Sequence, residues 1–241
     1  MVGYRLIRNQ SLLTPRSSCP ECHGIIAWYD TIPILSWCLL KARCRNCSKP
    51  ISFLYPCIEI LTALLFSLLC ITMPLHYFFS YCIFFSALIV TIRSDIETML
   101  ISRYVTIALV PIGFFLSTYH ALPLSFTDSF IGAITGYLFL FITNTIFKYI
   151  RGIDGIGEGD FDLLMLIGSF TGIIGCWTSI TLGSLLGSFY ALCAMLFHYC
   201  SPIKFDHPLT TTTKIPFGPF LAIGAIIFVF VQKYIFHFFL A

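Results

Sequence analysis

From residue 53 onward the sequence is a succession of long apolar runs separated by short polar turns, at about 53 to 72, 75 to 92, 104 to 120, 128 to 147, 161 to 176, 179 to 199 and 216 to 239. A run of roughly 20 apolar residues is the length needed to cross the hydrocarbon of a bilayer. No water is present there to satisfy backbone groups, so a spanning segment must be a helix or belong to a closed barrel. These runs are too long for barrel strands and do not alternate as such strands do. The expected fold class is all-α: a polytopic transmembrane helical bundle with seven spans over residues 53–241, preceded by a small polar segment over residues 1–52. At 58% hydrophobic and 10% charged, the chain is excluded from the ordinary soluble domains.

Cytoplasmic loops retain Lys and Arg, so the basic residues set the orientation. Seven precede the first run (Arg5, Arg8, Arg16, Lys41, Arg43, Arg45, Lys49). Six more (Arg93, Arg103, Lys148, Arg151, Lys204, Lys214) fall in loops on the same side, and Lys233 alone lies near the other. That division places residues 1–52 in the cytoplasm and the C-terminus outside. The net charge of +3 follows from topology and calls for no nucleic acid. Met1 to Leu13 has no apolar core of the length a signal peptide needs and contains no span.

The cytoplasmic segment carries Cys19-Pro-Glu-Cys22 and Cys44-Arg-Asn-Cys47. Two such pairs supply four thiolates, the ligand set of tetrahedral structural zinc. Two disulfides are the alternative, and a cytoplasmic location disfavours them. His23 is a weaker substitute ligand. The other cysteines are scattered through apolar sequence, where the thiol behaves as a small hydrophobe. Between the pairs, the stretch from Ile26 to Trp37 is aromatic but broken by Asp30 and Pro33. It is too short to span, and suits a loop pressed on the membrane surface with Trp28, Tyr29 and Trp37 at headgroup depth.

Acidic groups beside apolar runs are costly and mark candidate sites. Glu59, inside the first run, reads more readily as a structural hydrogen-bond acceptor than as a functional group. Asp95 follows the second run, with Glu97 two residues on as its competitor. By itself an acid in an interfacial loop is ordinarily a solvated cap. Gly155-Ile156-Gly157-Glu158-Gly159-Asp160 introduces the fifth run, and its glycines permit close approach of another chain while delivering Asp160 to the rim of a helix. Asp95 and Asp160 are expected at the same depth on the same face, where a pair of carboxylates could share a proton and hydrolyse peptide bonds. Asp162 would answer the helix dipole. Glycines at 168, 172, 175, 183 and 187 suit close helix packing. Ile215-Pro216-Phe217-Gly218-Pro219-Phe220 gives the last run a rigid start, suited to a site wall.

Taken together these features resemble the type IV prepilin peptidases. The resemblance rests on Tyr4-Arg5-Leu6, the two Cys-x-x-Cys pairs around Ile26 to Trp37, Tyr55-Pro-Cys-Ile-Glu59, Asp95, Gly157-Glu158-Gly159-Asp160 and Ile215 to Pro219, in that order. It implies a bacterial inner-membrane aspartic endopeptidase with Asp95 and Asp160 as the catalytic pair and Gly157, Glu158 and Gly159 shaping the site. It further implies Cys19, Cys22, Cys44 and Cys47 as zinc ligands. The implied substrates are type IV prepilins or type II secretion pseudopilins, cut after a glycine at the cytoplasmic face. Membrane lipid is the surrounding partner. Many members also methylate the new N-terminus with S-adenosylmethionine.

The chain departs from that family in three places. An additional span usually precedes the motif at Val2 to Leu6, Ser102 stands where proline is common, and Asp162 stands where lysine is usual. The competing reading is a non-catalytic or degenerate membrane assembly protein of a pilus or secretion system. A transporter would need ionisable groups across the bundle, and here the acids gather at one face.

Overall fold

The computed structural model describes residues 18–19, 21–200 and 216–240. The motif at 4 to 6 and the threonine-bearing loop before residue 216 lie outside them. After a 3₁₀ turn at Trp28–Thr31, the helices are α1 (Leu35–Leu39), α2 (Leu54–Thr72), α3 (Leu75–Thr98), α4 (Arg103–Thr118), α5 (Phe126–Arg151), α6 (Glu158–Cys200) and α7 (Gly218–Leu240). The described residues contain no strand beyond two isolated bridges. The protein is an all-helical, multi-pass membrane bundle. Four helices, α2, α3, α5 and α6, are long and apolar enough to span, while α4 and Gly218–Gln232 of α7 are shorter apolar helices.

The chain divides into two units, Met1–Cys82 and Ile83–Ala241. In the second, local sequence sets the helix ends. Helix α3 stops at Met99, whose left-handed φ of 53° lets its N–H donate back to Asp95 O at 2.9 Å. Ser125 caps α5 by accepting from Asp128 N, and Gly152 ends it at φ 72° with Lys148 and Arg151 in the last turn, where cations oppose the dipole.

Helices in lipid gain little from hiding apolar surface from one another, so close van der Waals contact has to hold them. Helix α5 lies antiparallel to the start of α6, with Ser129 Oγ donating to Ser169 O at 2.5 Å and the Tyr137 and Phe161 rings 6.1 Å apart. Between these contacts the backbones nearly touch. A Cβ on Gly132 would lie 2.6 Å from Gly168 O, and one on Gly136 2.7 Å from Leu164 O.

The fifth and sixth apolar runs form one helical element that turns sharply inside itself. Gly172 has φ 70° and ψ −171°, outside helical space. Beyond it the chain doubles back: Cys176 Sγ lies 3.7 Å from Leu164 O, whereas 12 residues of straight helix would separate them by about 18 Å. The sequence reading set this break near residues 177–178. The turn comes earlier because only a glycine takes this left-handed conformation without strain. The limb after Gly172 then packs along α7, where a Cβ on Gly224 would meet Ser179 O at 2.8 Å. Phe84 and Phe170, both fully buried, stack at 4.9 Å in the core.

Gly132→Val should destabilise the bundle by about 1–3 kcal/mol or more, because backbone faces the added carbons and cannot yield. Gly187→Ala, whose Cβ would meet only ordinary contact at 3.5 Å, should change stability little. Thermal unfolding midpoints of the two detergent-solubilised variants test the contrast.

Candidate active site and metal centre

Asp95 occupies the last turn of α3 and Asp160 the first turn of α6, and both are buried, with 5% and 8% of their surface exposed. Gly218 N, at the start of α7, donates to Asp95 Oδ2 at 3.1 Å. Asp160 N donates to Gly157 O at 3.1 Å, and Asp160 Oδ2 lies beside Gly157, just ahead of α6.

Ile101, in the loop after α3, joins these segments. A Cβ on Gly159 would stand 2.8 Å from Ile101 Cβ, and one on Gly218 would stand 3.0 Å from Ile101 Cδ1 and 2.8 Å from Asp95 Oδ2. Glycine at 159 and 218 is therefore a requirement of space. Gly157 faces Asp160 Oδ2 at an ordinary 3.5 Å. Sequence reading named Gly157, Glu158 and Gly159 but gave Gly218 no bond to Asp95. That contact joins residues 123 apart and leaves no local signal.

The neighbouring acids are engaged otherwise. Glu97, the competitor of Asp95, pairs with Arg93 at 3.1 Å across one helical turn. Arg103, the first residue of α4, bridges two carboxylates of α6, Asp162 at 2.8 Å and Glu158 at 3.1 Å. Asp162 is thus a buried ion-pair partner as well as a residue of the first turn. The guanidinium that answers Asp162 arrives from another helix.

Asn144 is a second residue that sequence reading missed. Its Oδ1 accepts from Gly155 N at 2.9 Å and Ile156 N at 3.0 Å, fastening the glycine-rich loop to α5. Lys148 pairs with Asp154 in the same loop and holds that carboxyl below its ordinary range. The available signal was a lone amide inside an apolar run.

In the first unit the two cysteine pairs form matching turns. Cys19 N donates to Gly24 O and Cys44 N to Lys49 O, while His23 N and Ser48 N return to Cys19 O and Cys44 O. His23 and Ser48 both take the left-handed conformation, at φ 55° and 56°. The four sulfurs of Cys19, Cys22, Cys44 and Cys47 lie within 4.8 Å of one another, and no disulfide joins them. Cys19 Sγ and Cys47 Sγ are 3.9 Å apart. Tetrahedral zinc with bonds of about 2.3 Å sets its sulfurs about 3.8 Å apart, so the donors fit that ion. Backbone N–H groups of Cys47 and Asn46 bring the Cys44 thiol down to about 7, favouring the thiolate that a metal needs. His23 is not part of the cluster. Glu59 Oε2 accepts from Ile34 N at 2.7 Å, the structural role expected of it.

Residues 1–73 match the family model described as Bacterial Peptidase A24 N-terminal domain, and residues 82–192 match the Type IV leader peptidase family. A prepilin leader peptidase/N-methyltransferase of Aeromonas hydrophila is 34% identical over 89% of this chain and 71% of its own length. One of Bacillus subtilis is 32% identical over 93% of this chain and 85% of its own. A type 4 prepilin-like proteins leader peptide-processing enzyme of Escherichia coli is 30% identical over 92% and 78%. No solved structure matches the chain.

Replacing Cys19 and Cys47 together by serine should take the purified protein from about one zinc per chain to none. Cys38→Ser, outside the cluster, should leave the stoichiometry unchanged. Elemental analysis of the detergent-solubilised protein reads both.

Proposed function

The chain belongs to the type IV leader peptidase family, and from that premise we propose that it is a membrane aspartic endopeptidase that removes the leader of type IV prepilins, with Asp95 and Asp160 as its catalytic pair. The observation that carries the reading is the convergence of these two buried carboxylates, 65 residues apart in sequence, at the start of α6 and the end of α3. Two carboxylates in mutual range resist double ionisation, so the pair holds one proton between them at neutral pH. The ionised member takes a proton from the attacking water. The protonated member donates to the carbonyl oxygen of the scissile bond, and the roles then exchange. Burial strengthens both transfers by excluding competing solvent.

The backbone contacts fit this chemistry. Gly218 N stabilises charge on Asp95, and Asp160 sits in the first turn of α6, where the helix dipole favours a carboxylate. The distribution of basic residues supports a cytoplasmic position for the pair. A substrate held by its own apolar helix, with a basic leader in the cytoplasm, would present its leader junction there, and pseudopilins share that plan. The four-cysteine turns hold zinc as a structural ion and no step passes through it. Relatives named as N-methyltransferases support a second activity on the new N-terminus, with S-adenosylmethionine as methyl donor.

Asp95→Asn and Asp160→Asn should each leave the protein in the membrane and lower leader removal from a co-expressed prepilin by about a thousandfold or more. Gly218→Ala, which drives a methyl group against Asp95, should also slow cleavage. Immunoblots separating precursor from mature pilin read all three. Normal processing by either Asn variant would sink the catalytic assignment and favour an assembly role.

A further inference from the structure

The segment ahead of α2 carries a second built feature, remote in sequence from both carboxylates. An open cavity of about 540 Å³ lies in the second cysteine turn, walled by Leu39, Lys41, Arg43, Cys44, Arg45 and Ser48. Arg45 is committed to Asp30 through two hydrogen bonds of 2.8 and 2.7 Å, and its guanidinium stands 5.3 Å from the centre of the Tyr29 ring. Tyr29 meets Trp28 edge to face at 5.8 Å. The cavity and the aromatic turn therefore share one continuous surface. Trp28 is 80% exposed and Leu39 74%, beside exposed Ile32 and Leu35. Among the described residues, Lys41 and Arg43 form no ion pair.

This surface is tied to the first apolar helix. Ile34 N is bonded to Glu59, in the second turn of α2, and Trp37 packs on Phe53, the residue that precedes α2. The segment is thus held against the start of a helix long and apolar enough to span. Trp37 is also turned inward, donating to Ile51 O, so of the three aromatics expected at headgroup depth only Trp28 and Tyr29 project outward. Exposed aromatics beside cations with no ion pair suit an interface bearing apolar and anionic groups together.

We propose that the cavity walled by Leu39, Lys41, Arg43 and Arg45 seats the phosphate of an anionic membrane lipid, with Trp28 and Tyr29 among the headgroups beside it. Lys41 and Arg43 supply the attraction, Arg45 ties the cavity wall to the aromatic turn, and Leu39 meets the upper acyl chain. The rival role for these cations is to offset the formal charge of −2 on zinc with four thiolates. Lys49 is paired with Glu21 at 2.7 Å, whereas Lys41 and Arg43 line the cavity.

The test uses the full zinc-loaded chain in liposomes. Trp37→Phe and Trp177→Phe leave Trp28 as the sole tryptophan of the original three. Its quenching is compared with dibrominated phosphatidylglycerol and with dibrominated phosphatidylcholine at equal mole fraction. Quenching by the anionic lipid should be at least about twofold stronger, and the preference should shrink in high salt. Lys41→Ala with Arg43→Ala should bring the ratio to about one while zinc content stays unchanged. Equal quenching by both lipids in the parent, or by neither, overturns the proposal. So does a ratio that survives the double substitution, or one lost together with zinc, which would assign the cations to the thiolates. Loss of the preference on adding inorganic phosphate at constant ionic strength would make the ligand a free anion and overturn the lipid assignment.

Discussion

Ile101 lies against two glycines, and a side chain at either would have to displace its own. Gly159 brings the start of α6 to it from one direction and Gly218 brings the start of α7 from the other, each so near that a single added carbon would collide. The loop after α3 thereby fixes three helix ends at one place. Asp95 and Asp160 sit on two of these ends, and the third supplies a backbone N–H to Asp95. Without the glycines the helices would still form, since apolar length drives insertion, but the carboxylates would not meet.

The ionic contacts around this junction divide the acids by role. Glu97 is paired within its own helix, and Glu158 and Asp162 are clamped by Arg103. Neither Asp95 nor Asp160 is paired with a cation among the described residues, and Asp95 accepts from Gly218 N. An acid paired with a cation has its charge answered, which leaves Asp95 and Asp160 as the buried carboxylates here without a cation among the described residues. Arg103 from α4 answers the charge of buried Asp162 and shares its guanidinium with exposed Glu158.

The segment ahead of α2 is a separate solution to a different problem. It is too short and too polar to build an apolar core, and a metal joined to two similar turns can replace one. The turns match in detail, down to the left-handed residue that follows each pair. Glu59 then secures the segment to the membrane helix by accepting from the backbone of Ile34, a structural use of a part-buried carboxylate.

Much was legible in the chain before it was folded. Helical class followed from run length, since lipid leaves the backbone no other partner. The four-cysteine cluster followed from two Cys-x-x-Cys pairs, because so short a spacing itself sets two sulfurs on one side of a turn. Other features had no local trace. Apolar runs show no periodic face, so the reversal at Gly172 was placed five residues late, among several equally plausible small residues. Gly218 reaching Asp95, Arg103 reaching Asp162 and Asn144 holding the glycine loop are contacts between distant segments, decided by which helices pack against which. Sequence determined what each segment is, because propensity and hydropathy act over a few neighbouring residues. Tertiary structure alone decided which acids became neighbours, because that depends on backbone approach across the bundle.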